Sequence, residues 1–261
     1  MSDAVRVFIG AGKEHWLPAE VLRHSILATT SRPVEIVNLR EHDGLIPKPW
    51  RGKVPTSFSL QRFLIPQVCG YQGHGIYLDS DQLVLRDIGE PWDTPFADND
   101  RIHTAGDWQS AVMLIDCERV RWSVAALCAE MDAGAKRYPA LSNLKYETGV
   151  TGKLTQWWNW HDRCKLYKAA AELGKLPDDV RLIHFTRMNT QPWLFDPHPF
   201  GTLWNNALLS AIRDGAITTD DVRREIDNQN VRPSLSRLLN EQPREVDRAW
   251  RDRNRKRLRG L

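Results

Sequence analysis

Two aspartates, Asp79 and Asp81, end a short apolar run in Gly75-Ile-Tyr-Leu-Asp-Ser-Asp-Gln-Leu-Val-Leu-Arg-Asp87. In an extended chain, side chains repeat every two residues on one face, so carboxylates flanking Ser80 point the same way. Two carboxylates converging at the end of a buried strand repel each other unless a cation lies between them. Hard oxygen ligands suit a divalent metal that keeps positions open for substrate phosphates. The pattern therefore predicts a metal–diphosphate site at the edge of a sheet, against the plainer alternative of a polar turn between two strands. With 21 Asp in 261 residues, about two such spacings arise by chance. The second one, Asp98-Asn-Asp100, follows Thr94-Pro-Phe-Ala with no strand leading into it, and reads as turn or capping chemistry.

The elements that must position these carboxylates read as a parallel sheet. Val5 to Gly10 is a first strand, Pro18 opens a helix running to about Thr29, and Val34 to Leu39 is a second strand. Strand, helix and strand in so short a span form a βαβ unit. A glycine closing the first strand lets a ligand approach the backbone, but the pattern is not Gly-x-Gly-x-x-Gly, so it is no dinucleotide fingerprint. Leu45 to Pro55 reads as a loop, and Ser57 to about Cys69 as a helix carrying Arg62 and Phe63. Ile102–Ala105 and Ala111–Ile115 read as strands, and Arg119 to about Ala133 as a helix with Val120, Val124, Leu127 and Met131 on one face. Thr148–Leu154 and Asp162–Leu173 read as helical pieces and Val180–Phe185 as a last core strand, with helices beyond Pro199. The expected division is a catalytic domain over residues 1–215 and a helical extension over 216–261.

Composition bounds the function. A hydrophobic share of 41% and a charged share of 26% are those of an ordinary globular chain. No run approaches a membrane span, and Met-Ser-Asp-Ala-Val-Arg lacks an apolar signal region, so the expectation is a cytoplasmic chain. Cys69, Cys117, Cys128 and Cys164 are far apart and read as reduced core residues. Eleven tryptophans, clustered at Trp157, Trp158 and Trp160 and again at Trp193 and Trp204, suit either a core or sugar rings. The segment from Arg244 to Leu261 carries net +5, while the preceding 243 residues carry −2. A near-neutral body argues against a nucleic-acid partner. From Pro243 onward, Val246, Trp250, Leu258 and Leu261 fall near one helical face with arginines on the others. That helix either packs its tryptophan and leaves its arginines solvated, or anchors the chain peripherally on the inner face of an anionic membrane.

Six ordered blocks together carry a resemblance to one known family. Val7-Phe-Ile-Gly10 is similar to that family's first strand, and Leu60-Gln-Arg-Phe-Leu-Ile-Pro66 to its arginine-bearing helix. Ile76-Tyr-Leu-Asp-Ser-Asp-Gln-Leu-Val84 with Asp87-Ile-Gly-Glu-Pro-Trp92 resembles the metal-binding block, and Ser110-Ala-Val-Met-Leu-Ile-Asp116 the strand after it. Leu154 through Trp157-Trp-Asn159 resembles a Leu-Pro-x-x-Trp-Asn block, and Ile183-His-Phe-Thr186 with Gln191-Pro-Trp193 a C-terminal histidine motif. Together these blocks resemble family 8 of the retaining glycosyltransferases, which implies a GT-A-like α/β fold with a mostly parallel central sheet flanked by helices and a helical C-terminal extension. It implies a metal held by Asp79, Asp81 and His184. It sets a nucleotide-sugar donor against Phe8, Gly10, Arg62, Ser80, Arg187, Gln191 and Trp193. Gln191 stands where the family has lysine and Arg187 near its usual glycine, so Arg187 or Arg62 would supply charge to the diphosphate. No Asp-Gln pair stands near the reacting sugar carbon; Glu147 and Asp107 are the nearest acidic candidates, and Gln109 aligns with a usual asparagine.

The chemistry implied is self-consistent. A nucleoside diphosphate leaves with negative charge that a divalent ion stabilises. Two carboxylates and an imidazole match Mn²⁺ better than Mg²⁺, the alternative ion. The sugar centre becomes cation-like as its bond breaks, so a carboxylate such as Glu147 beneath it would help; otherwise Glu147 is a solvated residue. The resemblance implies transfer of a hexose, from UDP-glucose or UDP-galactose, to a glycan or glycolipid with retention. Two other classes stay open: a sugar-nucleotidyltransferase, which would release pyrophosphate, and a catalytically silent nucleotide-sugar-binding protein.

Overall fold

The structure is a computed structural model that describes residues 4–48, 54–56, 58–106 and 110–254. The chain opens on β1 (Val5–Gly10), enters α1 (Trp16–Thr29) and returns in β2 (Val34–Asn38). A short helix α2 (Ile65–Val68) leads to β3 (His74–Asp79), and β4 (Gln82–Val84) starts two residues after that strand ends. There follow α3 (Gly89–Trp92), β5 (Ile102–Ala105), β6 (Val112–Asp116), α4 (Val124–Asp132), α5 (Tyr138–Ser142) and β7 (Val150–Leu154). The remainder is β8 (Trp160–His161), α6 (Tyr167–Leu173), β9 (Leu182–His184), α7 (Gly201–Arg213), α8 (Thr219–Asp227) and α9 (Asp247–Arg253).

Four expected elements differ. The helix expected to end near Cys69 is a 3-10 turn over Gln61–Leu64 running into α2, because Pro66 has no N–H to donate and its ring crowds the preceding turn. The helix expected from Arg119 starts at Val124, where the Ser123 hydroxyl accepts from the Ala126 N–H. Upstream of it, the Asp116 carboxylate takes the N–H groups of Glu118 and Arg119 into a turn. Thr148–Leu154 is not helical. Val150 and Thr151, both β-branched, pair in parallel with β5. The helix expected from Asp162 begins only at Tyr167.

Internal contacts divide the chain into two compact units, one comprising Met1–Lys13, Thr29–Ser80 and Arg86–Asn159, the other Glu14–Ala28, Asp81–Leu85 and Trp160–Leu261. The first holds a six-stranded sheet in the order β2-β1-β3-β6-β5-β7. Its β1–β2, β1–β3 and β5–β7 pairings are parallel, and β3–β6 and β5–β6 are antiparallel. Phe8, Tyr77 and Met113 lie side by side across three strands. They pack with Phe63 and Ile65 beside α2, with Leu127 and Cys128 of α4, and with Tyr138 and Leu141 of α5. Burial of these side chains is the main force seating the helices on the sheet, at roughly 25 cal/mol per Å² of apolar surface.

The second unit holds a three-stranded sheet in the order β4-β9-β8. Its Trp160, Trp193, Trp204 and Trp250 are core. Trp160 packs on Tyr167 and Phe200, and Trp193 lies 5.4 Å from Trp204. Trp250 of α9 is buried too, and its carbonyl accepts from the Asn254 side chain. Val246 is 73% exposed, so it does not share the buried face with Trp250. Leu258 and Leu261 lie outside the described residues. Among the described residues, no helix is long and apolar enough to cross a membrane.

Candidate metal centre

Asp79 is the last residue of β3 and is buried. Its Oδ1 accepts from the Tyr77 hydroxyl at 2.5 Å and from Arg62 Nη2 at 2.9 Å. The pleat puts Tyr77 and Asp79 on one face, and the parallel register sets Gly10 beside Asp79. A β-carbon on Gly10 would collide with the Tyr77 hydroxyl. The glycine that closes the first strand therefore makes room for a side chain of the protein itself. Arg62 Nη1 donates to the carbonyl and hydroxyl oxygens of Ser110 at 2.7 and 2.6 Å, and its guanidinium stacks 4.8 Å from the Tyr77 ring centroid. Arg62 is thus a buried partner of Asp79. Burial pushes the Tyr77 phenol well up, Arg62 opposes this, and the Asp79 charge and hydrogen bond add to the rise. Tyr77 stays a donor to the carboxylate.

Asp81 is placed by strand pairing. β4 runs antiparallel to β9 with Gln82 opposite His184, and the Phe185 N–H donates to the Asp81 carbonyl at 2.9 Å. This brings His184 Nε2 to 3.1 Å from Asp81 Oδ1. Gln191 is 2% exposed, and its Nε2 donates to Asp81 Oδ2 and to the Phe185 carbonyl, each at 3.0 Å. Burial alone would push the Asp81 carboxyl up. The charge and hydrogen-bonding capacity of His184 outweigh burial, with His15 adding to them, and hold the carboxyl below its usual range. Despite the nearby imidazole, Asp81 Oδ1 is buried with no well-formed hydrogen bond, and the Ser80 hydroxyl is buried likewise. One ligand-type atom from each of Asp79, Asp81 and His184 lies within 4.8 Å of the others. Two carboxylates, one of them with an oxygen that lacks a well-formed hydrogen bond, and an imidazole are a donor set that fits a divalent cation with mixed oxygen and nitrogen ligands.

His184 also lines a cleft of about 180 Å³ with Asp162, Tyr167, Arg187, Phe195 and His198. Arg187, whose side chain is 71% exposed, donates through Nε to Asp162 Oδ2 at 2.5 Å. The Thr186 hydroxyl donates to the other Asp162 oxygen. Burial pushes the Asp162 carboxyl up, but these two partners outweigh it and hold it down. Burial also pushes the neighbouring imidazoles His161 and His198 down to about 4, so both are neutral near pH 7.

Phe8 and Trp193 are core side chains, 2% and 1% exposed, and give no aromatic wall to a ligand. Ser80 is fully buried, and its N–H donates to the Gly10 carbonyl at 3.0 Å. Glu147 is half-buried in a turn, its N–H on the Leu144 carbonyl at 3.0 Å. Asp107 and Gln109 lie outside the described residues. Tyr77, Asp162 and His15 were not singled out from the sequence. The period of two that aligned Asp79 with Asp81 also aligns Tyr77. No spacing in the chain pointed to the other two.

No protein-family model matches the chain. Protein CDI of Arabidopsis thaliana is 39% identical over 92 residues, which cover 33% of this chain and 34% of that protein. The match thus spans about a third of the length of that curated relative. Three solved structures share the fold. The galactosyltransferase LgtC, solved with donor and acceptor sugar analogs, has a TM-score of 0.54 at 15% identity, covering 82% of this chain and 100% of that one. The apo glycosyltransferase GlyE of Streptococcus pneumoniae scores 0.55 at 15% identity, covering 88% of this chain and 64% of that one. The bifunctional glycosyltransferase WbbM scores 0.54 at 14%, covering 80% and 50%. The fold is the GT-A-like α/β fold of these transferases, a central sheet flanked by helices.

Proposed function

We propose that this chain is a metal-dependent hexosyltransferase of the family 8 type. It would move a sugar from a nucleotide donor, UDP-glucose or UDP-galactose, to a glycan or glycolipid acceptor with retention. The observation that carries this reading is the convergence of Asp79, Asp81 and His184 in a fold shared with glycosyltransferases. In the proposed reaction the bond from the anomeric carbon to the diphosphate oxygen breaks. The acceptor hydroxyl forms the new bond, and its proton leaves with the nucleoside diphosphate. Asp79, Asp81 and His184 would hold a divalent cation, Mn²⁺ in preference to Mg²⁺, which when bound neutralises charge on the departing diphosphate. Arg62 and Tyr77 fix the Asp79 carboxylate, and Gln191 fixes that of Asp81. Arg187, exposed beside His184, would meet the diphosphate. Glu147 and Asp107 remain the acidic candidates beneath the sugar, with Gln109 as the amide. The basic segment after Pro243 would hold the protein peripherally on an anionic membrane carrying a lipid-linked acceptor.

The test is a screen of UDP-sugars against the full chain for Mn²⁺-dependent hydrolysis without acceptor. The expected result is release of UDP from one donor and its loss in Asp81→Asn, with the circular dichroism spectrum unchanged. Release of pyrophosphate from a sugar phosphate and a nucleoside triphosphate would identify a nucleotidyltransferase instead. Tight metal-dependent UDP binding with no turnover of any donor would identify a silent binding protein.

A further inference from the structure

Arg187 is held from one side only. Its Nε donates to Asp162 Oδ2, while its side chain is otherwise exposed at the mouth of the cleft that His184 lines. Asp162 is itself only 9% exposed in its side chain and is pinned through its second oxygen by the Thr186 hydroxyl. A buried carboxylate gripped at both oxygens is a fixed hinge pin. An arginine bound to it through Nε keeps both terminal nitrogens for a bidentate anion, and an ordered arginine loses less entropy when it binds one.

We propose that Asp162 is a positioning residue for diphosphate binding, acting by orienting the Arg187 guanidinium toward phosphate oxygens in the cleft beside His184. This rests on the reading of Arg187 as a diphosphate-binding group. The two effects of Asp162 on an anion have opposite signs, which makes the role separable. As a bare charge, Asp162 repels phosphate, so removing it tightens binding. As an orienting partner, it pre-orders Arg187, so removing it weakens binding.

The experiment measures UDP affinity in Mn²⁺ by titration calorimetry on the full chain for the wild type, Asp162→Asn, Arg187→Ala and the double variant. Arg187→Ala is expected to weaken UDP. Asp162→Asn is expected to weaken it by about three- to tenfold, the cost of immobilising one long side chain on binding. In the Arg187→Ala background the sign reverses: Asp162→Asn leaves affinity unchanged or tightens it. Weakening of similar size in both backgrounds would mean that Asp162 supports the loop generally, and would overturn the proposal. Tightening in the wild-type background would overturn it as well. Wild-type affinity in Arg187→Ala would instead refute the diphosphate reading of Arg187, and the role of Asp162 with it.

Discussion

Gly10→Ala tests whether the end of β1 is open to a ligand or already filled by the protein. Gly10 is not among the residues with positive φ, so its backbone accepts any side chain. On that ground alone, alanine in a strand should stabilise the protein by about 0.4–1 kcal/mol through the unfolded state. The structure predicts the reverse sign. An alanine β-carbon would sit 3.0 Å from Tyr77 Cζ and 3.1 Å from Cε2, with the hydroxyl oxygen closer still. Tyr77 is fully buried and tied to Asp79, so it has little freedom to yield. Overpacking of this kind costs about 1–3 kcal/mol. Tyr77→Phe removes the colliding oxygen but also a hydrogen bond to a carboxylate, at about 1.5–3 kcal/mol. The two substitutions must therefore couple, the double variant being less destabilised than the sum by about 1 kcal/mol or more. Urea unfolding of the four proteins, followed by tryptophan fluorescence, supplies the cycle. A Gly10→Ala protein as stable as the wild type, or a coupling energy of zero, would refute the placement of the Tyr77 hydroxyl and restore Gly10 as a site of ligand approach.

Two other perturbations bear on Arg62 and on the basic segment. Arg62→Ala leaves Asp79 with Tyr77 but without its guanidinium, and should cost about 3–5 kcal/mol in urea unfolding, as breaking a buried ion pair does. Intact stability with a salt-sensitive loss of UDP affinity would show instead that Arg62 serves the phosphates. For the basic segment, the full chain should pellet with anionic vesicles and a chain ending at Gln242 should not, since each basic residue near such a surface contributes about 1 kcal/mol before screening. Equal pelleting of both, or of neither, excludes the anchor.

What could be read from the sequence was what local spacing encodes. The apolar run of Ile76–Leu78 marks Asp79 as a strand end with Asp81 just beyond it, and the strand–helix–strand order at the start of the chain announces the parallel β1–β2 pair. Thr148–Leu154 reads as helical because the run is too short to separate a helical period from an alternating one, and only the pairing of the strand Val150–Leu154 with β5 decides it. The partners of the carboxylates were hidden for a different reason. Gln191 reaches Asp81 across 110 residues of sequence, and Arg187 reaches Asp162 through a β8–β9 pairing that the two-residue strand Trp160–His161 does not announce. Long polar side chains have no periodicity, and their partners are set by tertiary packing.

The two aspartates are neutralised by different means, and this sets what a cation would find in the folded protein. Asp79 faces a guanidinium and a phenol, groups that keep their protons at neutral pH. Its charge is compensated by residues of the same unit. Asp81 faces an imidazole and an amide. The amide carries no charge, and the imidazole is a group that a metal recruits in its neutral form. Asp79 is therefore set by folding alone, whereas the pairing of Asp81 with His184 is the part of the centre that cation binding would reorganise. Their facing atoms are 3.1 Å apart, and Asp81 Oδ1 has no well-formed hydrogen bond, so a cation held there would satisfy an oxygen that folding leaves unsatisfied.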